Sequence, residues 1–201
     1  MRRVTAVLLA VLATASCRKG DVAEPETTVP TAPSTTATTA VSYAVPAAID
    51  TAYIQKVMAA LDHVNGDAAR RAASERALDG DFFQRFVSIY TDRYFKLVQR
   101  AWLQVAGDKF ALLADAPRDP TTSVVRLITA NPTCVFFEAK RDFSPMFREP
   151  DPPGGPRFVA LLPLDPLRNP TGYNPTPWAM NFDGHFQSGA EPTPEAACGP
   201  A

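Results

Sequence analysis

The chain holds 201 residues, 20 of them Lys or Arg and 21 Asp or Glu, for a formal net charge of −1, with 46% hydrophobic residues. A balance this even supplies no counterion-release drive toward nucleic acid and no polybasic patch for anionic headgroups, so neither is an expected partner. Two histidines cannot by themselves build a typical catalytic zinc site, and the chain lacks a Walker loop, a Gly-x-Gly-x-x-Gly fingerprint, a Gly-x-Ser-x-Gly elbow and a Cys-x-x-Cys pair. No catalytic residue, metal site or cofactor is expected.

The chain opens on a leader. Arg2 and Arg3 form a charged start, Val4 to Ala13 an apolar stretch too short to cross a bilayer, and small residues lead up to Cys17. This run resembles a bacterial lipoprotein signal, with Thr14 standing where such signals usually carry leucine. The resemblance implies cleavage after residue 16, diacylation of Cys17 and an N-terminal lipid anchor at the extracytoplasmic face of the cell membrane. The alternative is an ordinary signal peptide cut near Ala13-Thr14-Ala15 and a secreted protein. Removing Arg2 and Arg3 leaves 18 basic against 21 acidic side chains, a net charge of −3.

Residues 17–48 follow as a disordered tether rich in Thr, Pro and Ala, with no hydrophobic periodicity from which to build a core. Its reach is roughly 30 Å as a coil and about 90 Å as extended polyproline II. Residues 49–187 have the size of one domain with one core, and residues 188–201 form a C-terminal tail.

Within the domain, Asp50 can cap a helix whose apolar positions Ile54, Val57, Met58, Leu61 and Val64 recur at helical spacing, and Asn65-Gly66 reads as its end. Asp67 to Leu78 reads as a short, polar second helix. From Asp81, whose capping partner is Gln84, to Ala106 one continuous apolar stripe predicts the longest helix. The pattern then changes. Thr121–Thr129 is β-branched, Asn131-Pro132-Thr133 is a turn, and Cys134–Arg141 alternates, which together predict a hairpin. Arg157–Leu162 is nearly all apolar, as in a strand covered on both faces, and Trp178–Asp183 alternates with Trp178, Met180 and Phe182 on one face. Helices first and an antiparallel sheet after make an α+β domain.

That order, with Asn65-Gly66-Asp67 behind the first helix, resembles the cone-shaped NTF2-like fold. The resemblance implies N-terminal helices packed on a curved antiparallel sheet of about four strands. The set Asn131-Pro132-Thr133-Cys134, Arg141-Asp142-Phe143-Ser144, Asn174-Pro175-Thr176-Pro177-Trp178 and Cys198 is similar to a group of uncharacterised exported lipoproteins of high-GC bacteria, a resemblance that implies an address and no activity.

With Cys17 assigned to lipid, Cys134 and Cys198 remain as an even pair in an oxidising compartment, where such pairs usually form a disulfide. The three Asn-Pro-Thr triplets at 131, 169 and 174 are turn formers, since a central proline excludes the glycosylation sequon. His63 and His185 read as solvent-facing. The leading expectation is a non-catalytic binding domain for an envelope protein partner or an apolar ligand, with the proline-rich loops 144–156 and 164–177 as contact surface. The alternative is a small enzyme or apolar-ligand carrier whose NTF2-like pocket is lined by Tyr90, Tyr94, Phe136 and Trp178, with a carboxylate or His185 as its polar group. The sequence says nothing about oligomeric state.

Overall fold

The computed structural model describes residues 44–148, 156–185 and 193–199. The expected leader, Cys17, most of the expected tether and residues 149–155 of the 144–156 loop lie outside the described residues. Helices α1 (Thr51–Glu75), α2 (Gly80–Ile89) and α3 (Asp92–Gly107) precede strands β1 (Thr121–Asn131), β2 (Cys134–Asp142), β3 (Arg157–Pro163) and β4 (Trp178–His185), and a one-turn helix α4 (Pro194–Ala197) follows. The strands form one antiparallel sheet in the order β1-β2-β3-β4. The chain is thus α+β, helices before sheet, as its pattern order implies.

The hairpin falls where expected, and Asn131 explains it. Its Oδ1 accepts from the Thr133 amide at 2.9 Å, the Thr133 hydroxyl at 2.7 Å and the Cys134 amide at 2.9 Å, closing the turn around Pro132. Each face of the sheet has its own apolar layer. Val135, Phe137, Val159, Leu161, Trp178 and Met180 pack against Ile54, Val57, Met58 and Leu61 of α1. On the outer face, Phe136, Phe158 and Ala160 gather under Ala197 of α4, which explains why β3 is apolar at nearly every position.

Three expectations need correction. The first two helices are one, because Asn65 and Gly66 lie buried in the interior of α1 and do not end it. Gly66 is there for room. A Cβ at that position would come within 2.0 Å of Asp119 Oδ1 and 2.8 Å of the Asp119 Cα, so the glycine admits the chain that enters β1.

The long helix expected from Asp81 to Ala106 is instead two. Asp79, not Asp81, caps α2: its carboxylate accepts from the Phe82 amide at 2.8 Å. The Arg71 guanidinium, with that amide, holds the Asp79 carboxyl down at about 2. The break between α2 and α3 comes where Tyr90 turns extended (φ −122°, ψ 144°) and bridges Met180 on the edge strand β4. There the Thr91 amide donates to the Met180 carbonyl at 3.0 Å. Helical spacing continues across this break, so periodicity could not reveal it.

The third correction is the β4 alternation. Trp178 and Met180 belong to the inner core while Phe182 packs in the outer cluster, for a reason given below.

Cys134 and Cys198 stand at disulfide distance, their Cα atoms 5.9 Å apart across a separation of 64 residues. Thus the segment expected to be a tail brings α4 onto the sheet. Chain-entropy reasoning puts such a closure at about 4 kcal/mol. Cys198→Ser should therefore lower the unfolding free energy by up to about that amount in a non-reducing urea titration, while added reductant leaves the variant unchanged. For Gly66→Ala, helix propensity alone would add about 1 kcal/mol of stability. The contact with Asp119 should reverse the sign, to a loss of about 1–3 kcal/mol. A urea midpoint that rises would show that Asp119 gives way.

Candidate functional site

The inner face of the sheet is apolar along most of its length and becomes ionic at one end. Alternation that turns Val135, Phe137 and Ala139 inward along β2 also turns Arg141 inward, and on β3 it carries Arg157 with Val159 and Leu161. Thr122 of β1 sits opposite Arg141. β4 reaches the same row only through an irregularity. Ala160 pairs with Phe182 but Leu161 pairs with Met180, which leaves Asn181 as a bulged extra residue. The bulge resets the alternation, sending Phe182 outward and Asp183 inward. From the helix side, α1 presents Asp62 and Asn65, one turn apart on its buried face.

Arg141 is at the centre, with its side chain 1% exposed. Its Nε donates to the Thr122 hydroxyl at 2.9 Å, its Nη1 to Asp183 Oδ2 and its Nη2 to Asp62 Oδ1. Arg157 donates from Nε to Asp183 Oδ1. The Phe143 ring lies 4.8 Å from the Arg141 guanidinium and 5.2 Å from that of Arg157. Two cations and two carboxylates therefore form a charge-balanced quartet in the interior. Burial opposes the Arg141 charge, but Asp183 and Asp62 outweigh it and hold its proton more firmly than usual. Asp62 shows the opposite balance: burial outweighs the attraction of Arg141 and lifts its carboxyl above the ordinary aspartate range. Its Oδ2 has no hydrogen-bond partner among the described residues.

A cavity of about 310 Å³ opens beside the quartet, within the size range of small-molecule sites. Arg157, Asp183, Asn65 and Tyr90 form its polar side. Val98, Trp102, Leu112, Phe143, Met146 and Phe147 supply most of the apolar lining. The break at Tyr90-Thr91 aims α3 across this opening, so that Tyr94, Val98, Ala101 and Trp102 face it. The Tyr94 hydroxyl donates to the Asp183 carbonyl at 2.6 Å, and the Tyr90 hydroxyl accepts from Asn65 Nδ2 at 3.2 Å. Burial raises both phenols well above their ordinary range, so both stay protonated.

Of the expected pocket residues, Tyr90 and Tyr94 line this cavity, their rings 5.5 Å apart. Phe136 and Trp178 do not. Phe136 points to the outer face, stacked on Phe158, and Trp178 is wholly buried, donating from Nε1 to the Tyr53 hydroxyl at 2.9 Å. The backbone of His185 pairs with Arg157 at the end of β4, and its side chain lies outside the described residues. His63 is surface-exposed, 2.9 Å from Asp119 Oδ2, away from the pocket.

The convergence of the quartet is not apparent from the sequence. Asp62 falls one turn after Met58 on an otherwise apolar face, and Arg141 and Arg157 continue inward alternations. Charges at core positions are a readable signal. Asp183 had no such signal, because its direction depends on the bulge. The loop 164–177 is also committed internally: Asn174 Nδ2 donates to the Ser88 and Trp178 carbonyls, each at 2.8 Å, tying β4 to α2.

Among the described residues no helix is long and apolar enough to cross a membrane, and no cluster of three or more His, Cys, Asp or Glu is placed to hold a metal. Comparison with family models, with curated proteins and with solved structures returns no match.

Asp183→Asn leaves Arg141 with Asp62 alone and takes from Arg157 its carboxylate partner, and should cost about 3–5 kcal/mol in urea unfolding at neutral pH. Asp62→Asn should cost less and depend on pH. The native Asp62 carboxyl keeps its proton to higher pH than in the unfolded chain, so its ionisation withdraws stability as pH rises through the native titration. Urea titrations from pH 4 to 7 should therefore show the difference between wild type and Asp62→Asn moving in the variant's favour as pH rises; the reverse trend would overturn this account.

Proposed function

We propose that the domain is a non-catalytic binding module, held at the extracytoplasmic face of the membrane through Cys17, whose pocket takes a small and largely apolar ligand. The observation that carries this reading is the cavity of about 310 Å³, walled by aromatic and aliphatic side chains and set against a buried ionic quartet. Apolar groups with a few fixed polar ones are the usual makeup of a ligand site. A core built for stability alone does better with apolar residues than with buried ion pairs.

Binding is favoured over catalysis by what the polar groups have left to offer. Each Asp183 oxygen accepts from a guanidinium, and both tyrosines are held as neutral phenols. None of these is a general base waiting for a proton, and Asp62, whose Oδ2 is left over, is not among the residues lining the cavity. The helix-then-sheet order is in keeping with an NTF2-like cone around such a pocket. A tether of about 30 residues would let the domain collect its ligand at some distance from the bilayer.

The test uses N-phenyl-1-naphthylamine, an apolar dye that brightens on entering a dry pocket. Ala101 lines the cavity and is exposed at its mouth. Ala101→Trp should fill that mouth, weakening dye binding at least about ten-fold while Tm stays within about 2 °C of wild type. Equal dye binding by the folded variant would sink the proposal.

A further inference from the structure

The quartet is balanced in charge but unbalanced in hydrogen bonding. Every nitrogen of Arg141 is used, on Thr122, Asp183 and Asp62. Arg157 differs. Only its Nε is engaged, on Asp183 Oδ1, and its two terminal amino groups have no acceptor among the described residues. A guanidinium carries five N–H donors, so four of those on Arg157, at a side chain that lines the cavity, have no acceptor among the described residues. Tyr90 is in a similar position: its oxygen accepts from Asn65, and its own proton has no acceptor among the described residues. The Tyr94 proton is spent on the Asp183 carbonyl, and both Asp183 oxygens already face guanidiniums. Among the described residues the polar side of the pocket therefore offers more uncommitted donors than acceptors, the Asn65 Oδ1 being among the few acceptors left over.

We infer that the ligand is a monocarboxylate amphiphile, its carboxylate received by the Arg157 amino groups and the Tyr90 hydroxyl, and its apolar body laid against Val98, Trp102, Leu112 and Phe147. This rests on the pocket reading above and adds the head group to it. The planar fork of an arginine matches a carboxylate's two oxygens, and the contact strengthens where water is excluded. A dianionic phosphate would need a second cation with N–H groups to spare, and every nitrogen of Arg141 is already used. A cationic head would meet the Arg157 guanidinium, and both oxygens of Asp183, the carboxylate in the lining, already accept from arginines.

Three probes with one tail and different heads decide the matter: decanoate, 1-decanol and decyltrimethylammonium, each titrated against N-phenyl-1-naphthylamine bound to the folded domain. Decanoate should displace the dye at least about ten-fold more tightly than decanol, in line with a charge-assisted hydrogen bond, and the ammonium probe should be weakest. In Arg157→Gln decanoate should fall to the level of decanol. Should that variant fail to fold, Tyr90→Phe removes a single O–H and should weaken decanoate several-fold without changing decanol. Decanol matching decanoate on the wild-type protein, or Tyr90→Phe weakening both probes alike, overturns the carboxylate assignment and leaves the pocket reading standing. Failure of the dye and all three probes to bind overturns both.

Discussion

Because Arg141 is sealed from water, its charge has to be answered inside the protein, and the answer comes from three separate elements. Asp62 arrives from α1, Thr122 from β1 and Asp183 from β4. Removing such ions from water costs several kcal/mol apiece, which only well-aimed partners offset. Apolar contact is non-directional and would tolerate a small slide of α1 over the sheet. A guanidinium bonded at each nitrogen does not. The quartet therefore sets the register of helix layer on sheet at one end, while Ile54, Val57, Met58 and Leu61 supply the bulk of the burial along the rest.

Two local irregularities make the pocket, and they meet at one residue. Asn181 is the bulged position of β4, and its Oδ1 accepts from the hydroxyl of Thr91, where α3 begins. Its Nδ2 donates to the Ala197 carbonyl at 2.8 Å, holding α4 on the opposite side. One amide thus links the helix break that aims α3 over the cavity, the bulge that turns Asp183 into it, and the short helix that covers the outer face. Thr91 heads a helix with no side-chain cap because its hydroxyl serves this junction instead. Both departures from regular structure sit next to the site they shape.

Where periodicity was the whole signal, the sequence was legible: the apolar face of α1, the β2 alternation, the doubly covered β3 and the Asn131 turn all read directly. Misreadings arose where long-range contact overrode a local rule. Asn65-Gly66 has the chemistry of a helix end, yet Asp119 presses on Gly66 from 53 positions away and the helix continues. Phe182 belongs by alternation with Trp178 and Met180, and one inserted residue reverses it. Tyr90 and Tyr94 stand on the apolar stripe that the sequence shows, and both line the cavity. Their charged neighbours come from α1, β2, β3 and β4, and only the assembled sheet shows that these converge.

A bridge between Cys134 and Cys198 would enclose β2, β3, β4 and α4 in one covalent ring. With the bridge closed, a protease that cuts any one peptide bond within the ring produces two chains that are still one molecule, held by the sulfur link and by the sheet across the cut. Detaching a piece takes a second cut or a reductant. The redox state of the surroundings, as much as the protease, would then govern how long a nicked copy survives.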